Sequence, residues 1–193
     1  MRFLKIALAS AAVVAGVLPL AARAESNVST GAGALSASAR VNFSITIPRL
    51  LFLQVGTGTF LANNTAIDTI AFTPAVGVIG DSTVVNATAG SGNLGNGQVT
   101  VRIVGNTGNV TLGATSTPAS LTNAGGNTIP WTQIATAVTG GATHPTINGA
   151  NASFTAAGNV VNINGTWTYT YLNATTPAAG TYTSQVTYTA TAP

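Results

Sequence analysis

The chain contains no cysteine and carries very little charge. Without a cysteine in 193 residues, disulfides, thiolate metal sites and a lipid-bearing N-terminal cysteine are excluded. Charged residues make up 5% of the sequence, and Lys5 is its only lysine. Isopeptide staples and lysine-dependent sortase polymerisation need a lysine amine, so neither is available to the rest of the chain.

The first 24 residues have the composition of a secretory signal. A basic head at residues 2–5, an apolar stretch at residues 6–20 and a small-x-small exit at residues 22–24 follow one another. We expect a helical signal peptide that is cleaved before Glu25. The mature chain is then secreted, to the periplasm or the cell surface.

The charges that remain after cleavage cancel. Three arginines and three acids remain, which gives a formal charge of zero: Arg40, Arg49 and Arg102 against Glu25, Asp68 and Asp81. Such a chain has no basic patch to attract nucleic acid or an anionic membrane. No later apolar run approaches the roughly 18 residues needed to span a bilayer. We therefore expect neither nucleic-acid binding nor a membrane span.

Apolar and polar residues alternate with a period of two, which is typical of strands. The clearest case, residues 39–47, ends at Pro48, which cannot donate to a ladder. One face of this predicted strand carries four apolar side chains: Val41, Phe43, Ile45 and Ile47. Residues 25–38 are small and polar, and we expect a flexible N-terminal arm there.

Further short strands are expected throughout the rest of the chain, at residues 50–55, 67–72, 82–87, 98–104, 109–112, 128–135, 150–155, 160–163, 165–172 and 181–192. Turns rich in Gly and Asn separate them. The last two segments are expected to pair as a hairpin. This pattern predicts an all-β fold, a single antiparallel sandwich of Ig-like or jelly-roll type over residues 39–193.

No catalytic, cofactor or metal site is expected from the polar residues. Gly90–Gly95 matches G-x-G-x-x-G, but a strand follows it where a nucleotide site needs a helix. His144 lacks a nearby serine elbow and is expected in an exposed loop. Asp68 is expected to point to solvent and Asp81 to lie in a turn, so a glycosidase pair or a calcium site is not predicted.

The edges of the predicted sheets have no lysine to protect them. Sheet proteins usually guard exposed edges with lysine, inward charges or proline, because unpaired main-chain groups recruit further strands. The edges of this chain must therefore be closed into a barrel-like sheet, covered by loops, or paired with a strand from another subunit. The third suits residues 25–47 as the segment that supplies or accepts a strand.

The C-terminal segment, residues 180–190, resembles the closing strand of bacterial pilin-like subunits, in which a glycine opens an alternating strand. The residues that carry this resemblance are Gly180, Tyr182, Val186 and Tyr188. Residues 39–48 are similar to the first strand of spore-coat-U-type and fimbrial domains. The terminal strand is also similar to that of WxL-type cell-wall domains, but Tyr188 stands where their tryptophan would be. The resemblance implies an exported sandwich subunit, which other surface subunits or a periplasmic chaperone would bind.

Two functions follow as hypotheses. The first is a structural or adhesive surface subunit that assembles by strand addition, without catalysis or cofactor. The second is a monomeric secreted module that binds carbohydrate or a surface, with Trp131 and Trp167 stacking on sugar rings.

Overall fold

The computed structural model describes residues 25–193, so the predicted signal peptide lies outside the described residues. The chain divides into two units, with the boundary between Ile47 and Pro48. Residues 25–47 of the first unit contain neither helix nor strand. The second unit forms two antiparallel sheets, which confirms the predicted all-β sandwich.

The first sheet is built around β8 (Val161–Tyr171). This strand pairs along one edge with β3 (Gln98–Gly105) and along the other with β6 (Ile134–Gly140). β1 (Leu51–Val55) pairs with the far edge of β3, and the short β2 (Val85–Asn86) pairs with the end of β8. β1 and β6 are therefore the outer strands of this sheet.

The second sheet is built around β4 (Val110–Thr122). One edge of β4 pairs with β9 (Thr183–Thr191), and the other edge pairs with β5 (Thr128–Ile129) and β7 (Ala152–Phe154). Two single turns of 3-10 helix, Val76–Val78 and Trp131–Gln133, complete the regular structure of the described chain.

The core lies where the alternating apolar residues of the two sheets face each other. Because successive side chains of a strand point to opposite faces, every second residue of β3, β4 and β8 is directed inward. The most deeply buried of these large residues are Val101, Ile103, Val110, Leu112, Val161 and Trp167, each at most 2% exposed.

The predicted C-terminal hairpin is wrong. β8 and β9 belong to different sheets, since β8 pairs with β3 and β6 while β9 pairs with β4. Their aromatic residues meet across the core instead of along a shared ladder, and the rings of Trp167 and Tyr188 are 5.0 Å apart. Both strands have the same alternation, so the pattern alone could not distinguish the two arrangements.

Several other strand predictions need correction. The single strand predicted at residues 128–135 is divided into β5, a 3-10 turn and the start of β6. Residues 39–47 and 67–72 form no strand in the described chain. The separate strands predicted at 160–163 and 165–172 are one continuous strand, β8, which runs through Gly165. Glycine is needed there because a Cβ atom at this position would lie 2.6 Å from the carbonyl oxygen of Thr139 on β6. That close approach keeps β6 and β8 paired.

Candidate assembly seam

β1 and β9 are outer strands of different sheets, and they lie beside each other on one side of the sandwich. β1 pairs only with β3, and β9 pairs only with β4. Within the described chain, each strand therefore keeps one main-chain edge without a strand partner. We call these two neighbouring edges the β1–β9 seam.

The inward-facing side chains of the seam are less buried than those of the central strands. Their orientation follows from the register, because Leu53 lies opposite the buried Ile103, and Ala190 lies opposite the buried Leu112. Leu51, at the start of β1, is 40% exposed. The others are only partly buried: Leu53 and Val55 on β1, with Val186, Tyr188 and Ala190 on β9.

One end of the seam contains a small cavity. Its volume is about 130 Å³, and its lining includes Leu50, Leu51, Ala192 and Pro193. The side chain of Arg49 donates a hydrogen bond to the carbonyl oxygen of Pro193, which joins the residues before β1 to those after β9. The apolar strip between the two edge strands thus has open space beside it at this end.

The opposite side of the sandwich is covered by the chain itself. The connection from β6 to β7, residues 141–151, passes from one sheet to the other, and its Ala142 and Pro145 are buried. Asn148 binds β4 twice: its N–H donates to the carbonyl of Ala114 at 2.8 Å, and its side-chain oxygen accepts from the N–H of Ser116 at 2.8 Å. Within residues 48–193, no comparable connection crosses the β1–β9 seam.

Asn106 holds the residues that enter β1. Its side-chain oxygen accepts a hydrogen bond from the N–H of Leu50 at 2.7 Å, and its side-chain amide donates to the carbonyl of Pro48 at 2.8 Å. The main-chain N–H of Asn106 also donates to the carbonyl of Leu50, at 3.2 Å. The direction in which the chain approaches the seam is therefore set by three hydrogen bonds.

The apolar face predicted for residues 39–47 is exposed in this chain. Val41, Phe43, Ile45 and Ile47 are 74%, 90%, 86% and 76% exposed, respectively. These four large apolar side chains alternate along one extended segment, and each is largely exposed. Apolar residues exposed together in this way often mark an interaction site.

The C-terminal residues singled out by the sequence lie partly inside β9. Val186 and Tyr188 belong to β9 and face inward at the seam. Gly180 and Tyr182 precede the strand, which begins at Thr183 rather than at residue 181. The hydroxyl of Tyr182 donates to the carbonyl of Ala178 at 2.8 Å, within its own loop.

A polar cluster lies inside the sandwich behind the seam, and this corrects the prediction that His144 is exposed. The Nε2 atom of His144 is 2.9 Å from the hydroxyl of Tyr188, which is 2.9 Å from the hydroxyl of Tyr169. The imidazole also packs edge-on against Trp167, with 4.5 Å between ring centres. Burial lowers the pKa of His144 to about 4 and raises the pKa of Tyr188 to about 12.

The two aspartates bind local groups and do not contact His144. Asp68 accepts hydrogen bonds from the N–H and the hydroxyl of Thr57, at 2.5 and 2.7 Å, and both of these bonds are exposed. Asp81 accepts from the N–H of Thr83 at 2.7 Å, as a turn residue does. No group of three metal-ligating side chains occurs in residues 25–193.

The tryptophans offer little surface for sugar stacking. Trp167 is fully buried, and its indole N–H donates to the carbonyl of Ala142 at 2.5 Å. The prediction that it contacts a ligand is therefore wrong. Trp131 is partly exposed, and its indole N–H donates to the hydroxyl of Ser116 at 2.8 Å. Residues 90–95 form a loop before β3 and are followed by no helix.

Comparison with known proteins gave no match among family models, curated proteins or solved structures. No helix within residues 25–193 has the length and apolar character needed to cross a membrane.

Proposed function

We propose that the mature chain is an exported structural subunit that assembles by strand addition. In this proposal residues 39–47 of one copy enter the β1–β9 seam of a second copy and complete its sandwich. The observation that carries the proposal is the match between an uncovered, alternating apolar segment and an uncovered apolar strip between two unpaired edges. Strand addition uses main-chain hydrogen bonds for affinity and alternate side-chain pockets for specificity.

Burial of all four apolar side chains would roughly balance the free-energy cost of association. Fully burying a Val, Ile or Phe side chain contributes about 1.5–3 kcal/mol. Four such residues together contribute about 6–12 kcal/mol, and association costs about 4–15 kcal/mol. New main-chain hydrogen bonds along the free edge of β1 or β9 add to the favourable free energy of assembly. The two sides are comparable, so the loss of even two of the four anchors should abolish assembly.

A second copy, rather than the same chain, is the proposed acceptor. For residues 39–47 to enter their own seam, the chain would have to reverse direction within residues 48–50. That reversal would have to be made by residues that Asn106 already holds through its hydrogen bonds to Pro48 and Leu50. Inserting the segment into another copy leaves these bonds intact.

The proposal is tested with charges placed on either face of residues 39–47. In the double variant Phe43→Asp, Ile45→Asp, two carboxylates would have to enter an apolar strip, so we expect only monomers. The matched control is Ser44→Asp, Thr46→Asp, which adds the same charge to the opposite face. Size-exclusion chromatography with light scattering should show that the control and the unchanged mature protein form particles of several subunits.

A deletion variant separates donor from acceptor. Removing residues 25–47 should leave a folded monomer that binds a synthetic peptide of residues 39–47, because its seam remains open. A mature protein that is monomeric at all concentrations would contradict the proposal. The same holds for a Phe43→Asp, Ile45→Asp variant that assembles normally, or for a deletion variant that does not bind the peptide.

A further inference from the structure

Arg102 lies on the outer face of the first sheet, in a row of polar side chains that crosses three strands. The register places Gln54 of β1 and Asn164 of β8 on either side of it. This face is remote from the core, because the neighbouring Val101 and Ile103 of β3 point the other way and are fully buried. Arg102 is thus a cation in an otherwise uncharged row of polar side chains.

The other two arginines of residues 25–193 have their charge or their donors occupied. Arg40 forms an ion pair with Glu25 at 2.7 Å, and Arg49 donates to the carbonyl of Pro193. The two aspartates of the same range are bound to Thr57 and Thr83. Among the described residues, Arg102 has no carboxylate within 4.0 Å.

The loop that follows β1 places an aromatic ring on Arg102. The side-chain amide of Gln54 donates to the carbonyl oxygens of Gly56 and Gly58, at 3.0 and 3.2 Å, and so holds the start of this loop. Phe60 then lies 4.5 Å from the guanidinium carbon of Arg102. Its ring packs edge-on against Phe52, with 5.7 Å between centres. Stacking on an aromatic face fixes the plane of a guanidinium.

The remaining donors of Arg102 are left for a ligand. Its Nε–H donates to the side-chain oxygen of Asn164 at 2.6 Å, and its two terminal nitrogens have no hydrogen-bond partner within residues 25–193. A guanidinium held in this way presents a fork of N–H groups, which matches the two oxygens of a carboxylate. Phe60 remains 48% exposed and supplies an apolar surface beside that fork.

We propose that Arg102, Phe60 and Asn164 form a binding site for a carboxylate-bearing sugar. The guanidinium binds the carboxylate, the exposed part of the Phe60 ring contacts the apolar face of the sugar, and the Asn164 amide binds a hydroxyl. Hexuronates and sialic acids both offer this chemistry. The site lies on the outer face, so it does not depend on strand assembly at the seam.

Isothermal titration calorimetry with three oligosaccharides tests the site. The probes are a hexuronate tetramer, a sialylated tetramer and a neutral tetramer, each titrated into the Phe43→Asp, Ile45→Asp background to exclude avidity. We expect one of the two acidic probes to bind and the neutral probe not to bind. The acidic probe that binds identifies the class of sugar. Its affinity should fall as salt is raised, because the contact is between exposed charges.

Arg102→Gln should weaken binding of that probe about tenfold or more, because it removes the charge and the fork. Arg102→Lys keeps the charge without the fork and should weaken it as well. Arg40→Gln, which removes an arginine already paired with Glu25, is the matched control and should bind normally. Thermal melts establish that each variant is folded. Failure of every acidic probe at millimolar concentration, equal binding of the neutral probe, or unchanged binding by a folded Arg102→Gln variant would overturn the proposal.

Discussion

At the scale of single residues, Asn173 shows how one buried polar side chain organises a loop. It is fully buried and has a positive φ of 54°, a conformation that asparagine tolerates better than most residues. Its oxygen accepts from the N–H of Gly80 at 2.9 Å, and its amide donates to the carbonyl of Val78 at 2.5 Å. These bonds join the end of β8 to the loop before β2.

Asn173→Ala should lower the free energy of unfolding by about 1–3 kcal/mol, because it leaves the partly buried main-chain groups of Gly80 and Val78 unsatisfied. Asn63→Ala, at an exposed asparagine whose side chain forms no hydrogen bond within residues 25–193, is the control and should change stability by about 0.5 kcal/mol or less. Urea denaturation of both variants measures the difference. Equal stability of the two would show that the Asn173 bonds contribute nothing net.

His144 should make the protein less stable in acid. Its folded-state pKa of about 4 lies below the ordinary value of 6.5, so the unfolded chain binds a proton first as the pH falls. The stability that neutral, buried His144 contributes is therefore fully present above pH 6.5 and is lost progressively between pH 6.5 and 4. Below pH 4 this group causes no further loss. Between pH 7.5 and 5 the loss is at most about 2 kcal/mol, and partial exposure of the ring reduces it.

Urea denaturation at these two pH values measures that loss. His144→Gln can still bond to Tyr188 but cannot take up a proton, so its stability should be nearly the same at pH 7.5 and 5. An equal acid sensitivity of the variant and the unchanged protein would assign the effect to other groups.

At the scale of elements, Gly165 shows why β8 is one long strand. Glycine after asparagine indicates a turn in sequence, yet here it lets the main chain of β6 approach β8 closely. At Gly141, by contrast, an added Cβ would make only ordinary contacts, 3.6 Å from Ile163. The sequence does not show which of the two glycines is required, because the atoms that an added Cβ would meet belong to other parts of the chain.

Gly165→Ala should cost about 1–3 kcal/mol, because the new Cβ collides with the main chain of Thr139 and with Ala142. Gly141→Ala is the matched control and should be within about 0.5 kcal/mol of the unchanged protein. Chemical denaturation compares them. A Gly165→Ala variant as stable as the control would mean that β6 and β8 can separate without cost.

At the scale of the whole molecule, the sandwich is covered on one side and uncovered on the other. The connection 141–151 covers one side, whereas the β1–β9 seam has only partly buried side chains and unpaired edges. An inward charge is one of the ways in which proteins block strand addition at an edge.

Val186→Lys should therefore prevent assembly, because it places a charge on the inward face of the seam. Thr187→Lys places the same charge on the outward face of β9 and should leave assembly intact. Light scattering gives the particle mass of both, and circular dichroism checks that each keeps its strands. Assembly of a folded Val186→Lys variant to the usual mass would place the acceptor elsewhere.

Much of the local structure could be predicted from sequence, and much of the site could not. Alternation correctly indicated β1, β3, β7 and β9, because the period of side chains along a strand is a local property. The same alternation in residues 39–47 predicted a strand that the single chain does not form. A strand is stabilised by packing of its apolar face against neighbouring residues, and the local sequence does not show whether such neighbours are present in the same chain.

Composition and alternation were enough to predict a nearly uncharged, cysteine-free chain of short strands with many alternating apolar residues. The unpaired edges, the placement of β8 and β9 in different sheets and the packing of Phe60 on Arg102 became visible only in the folded chain. The physical reason is range: side-chain alternation and turn chemistry act between near neighbours in sequence. Pairing and burial depend on contacts between residues far apart in the chain, which the local pattern leaves open.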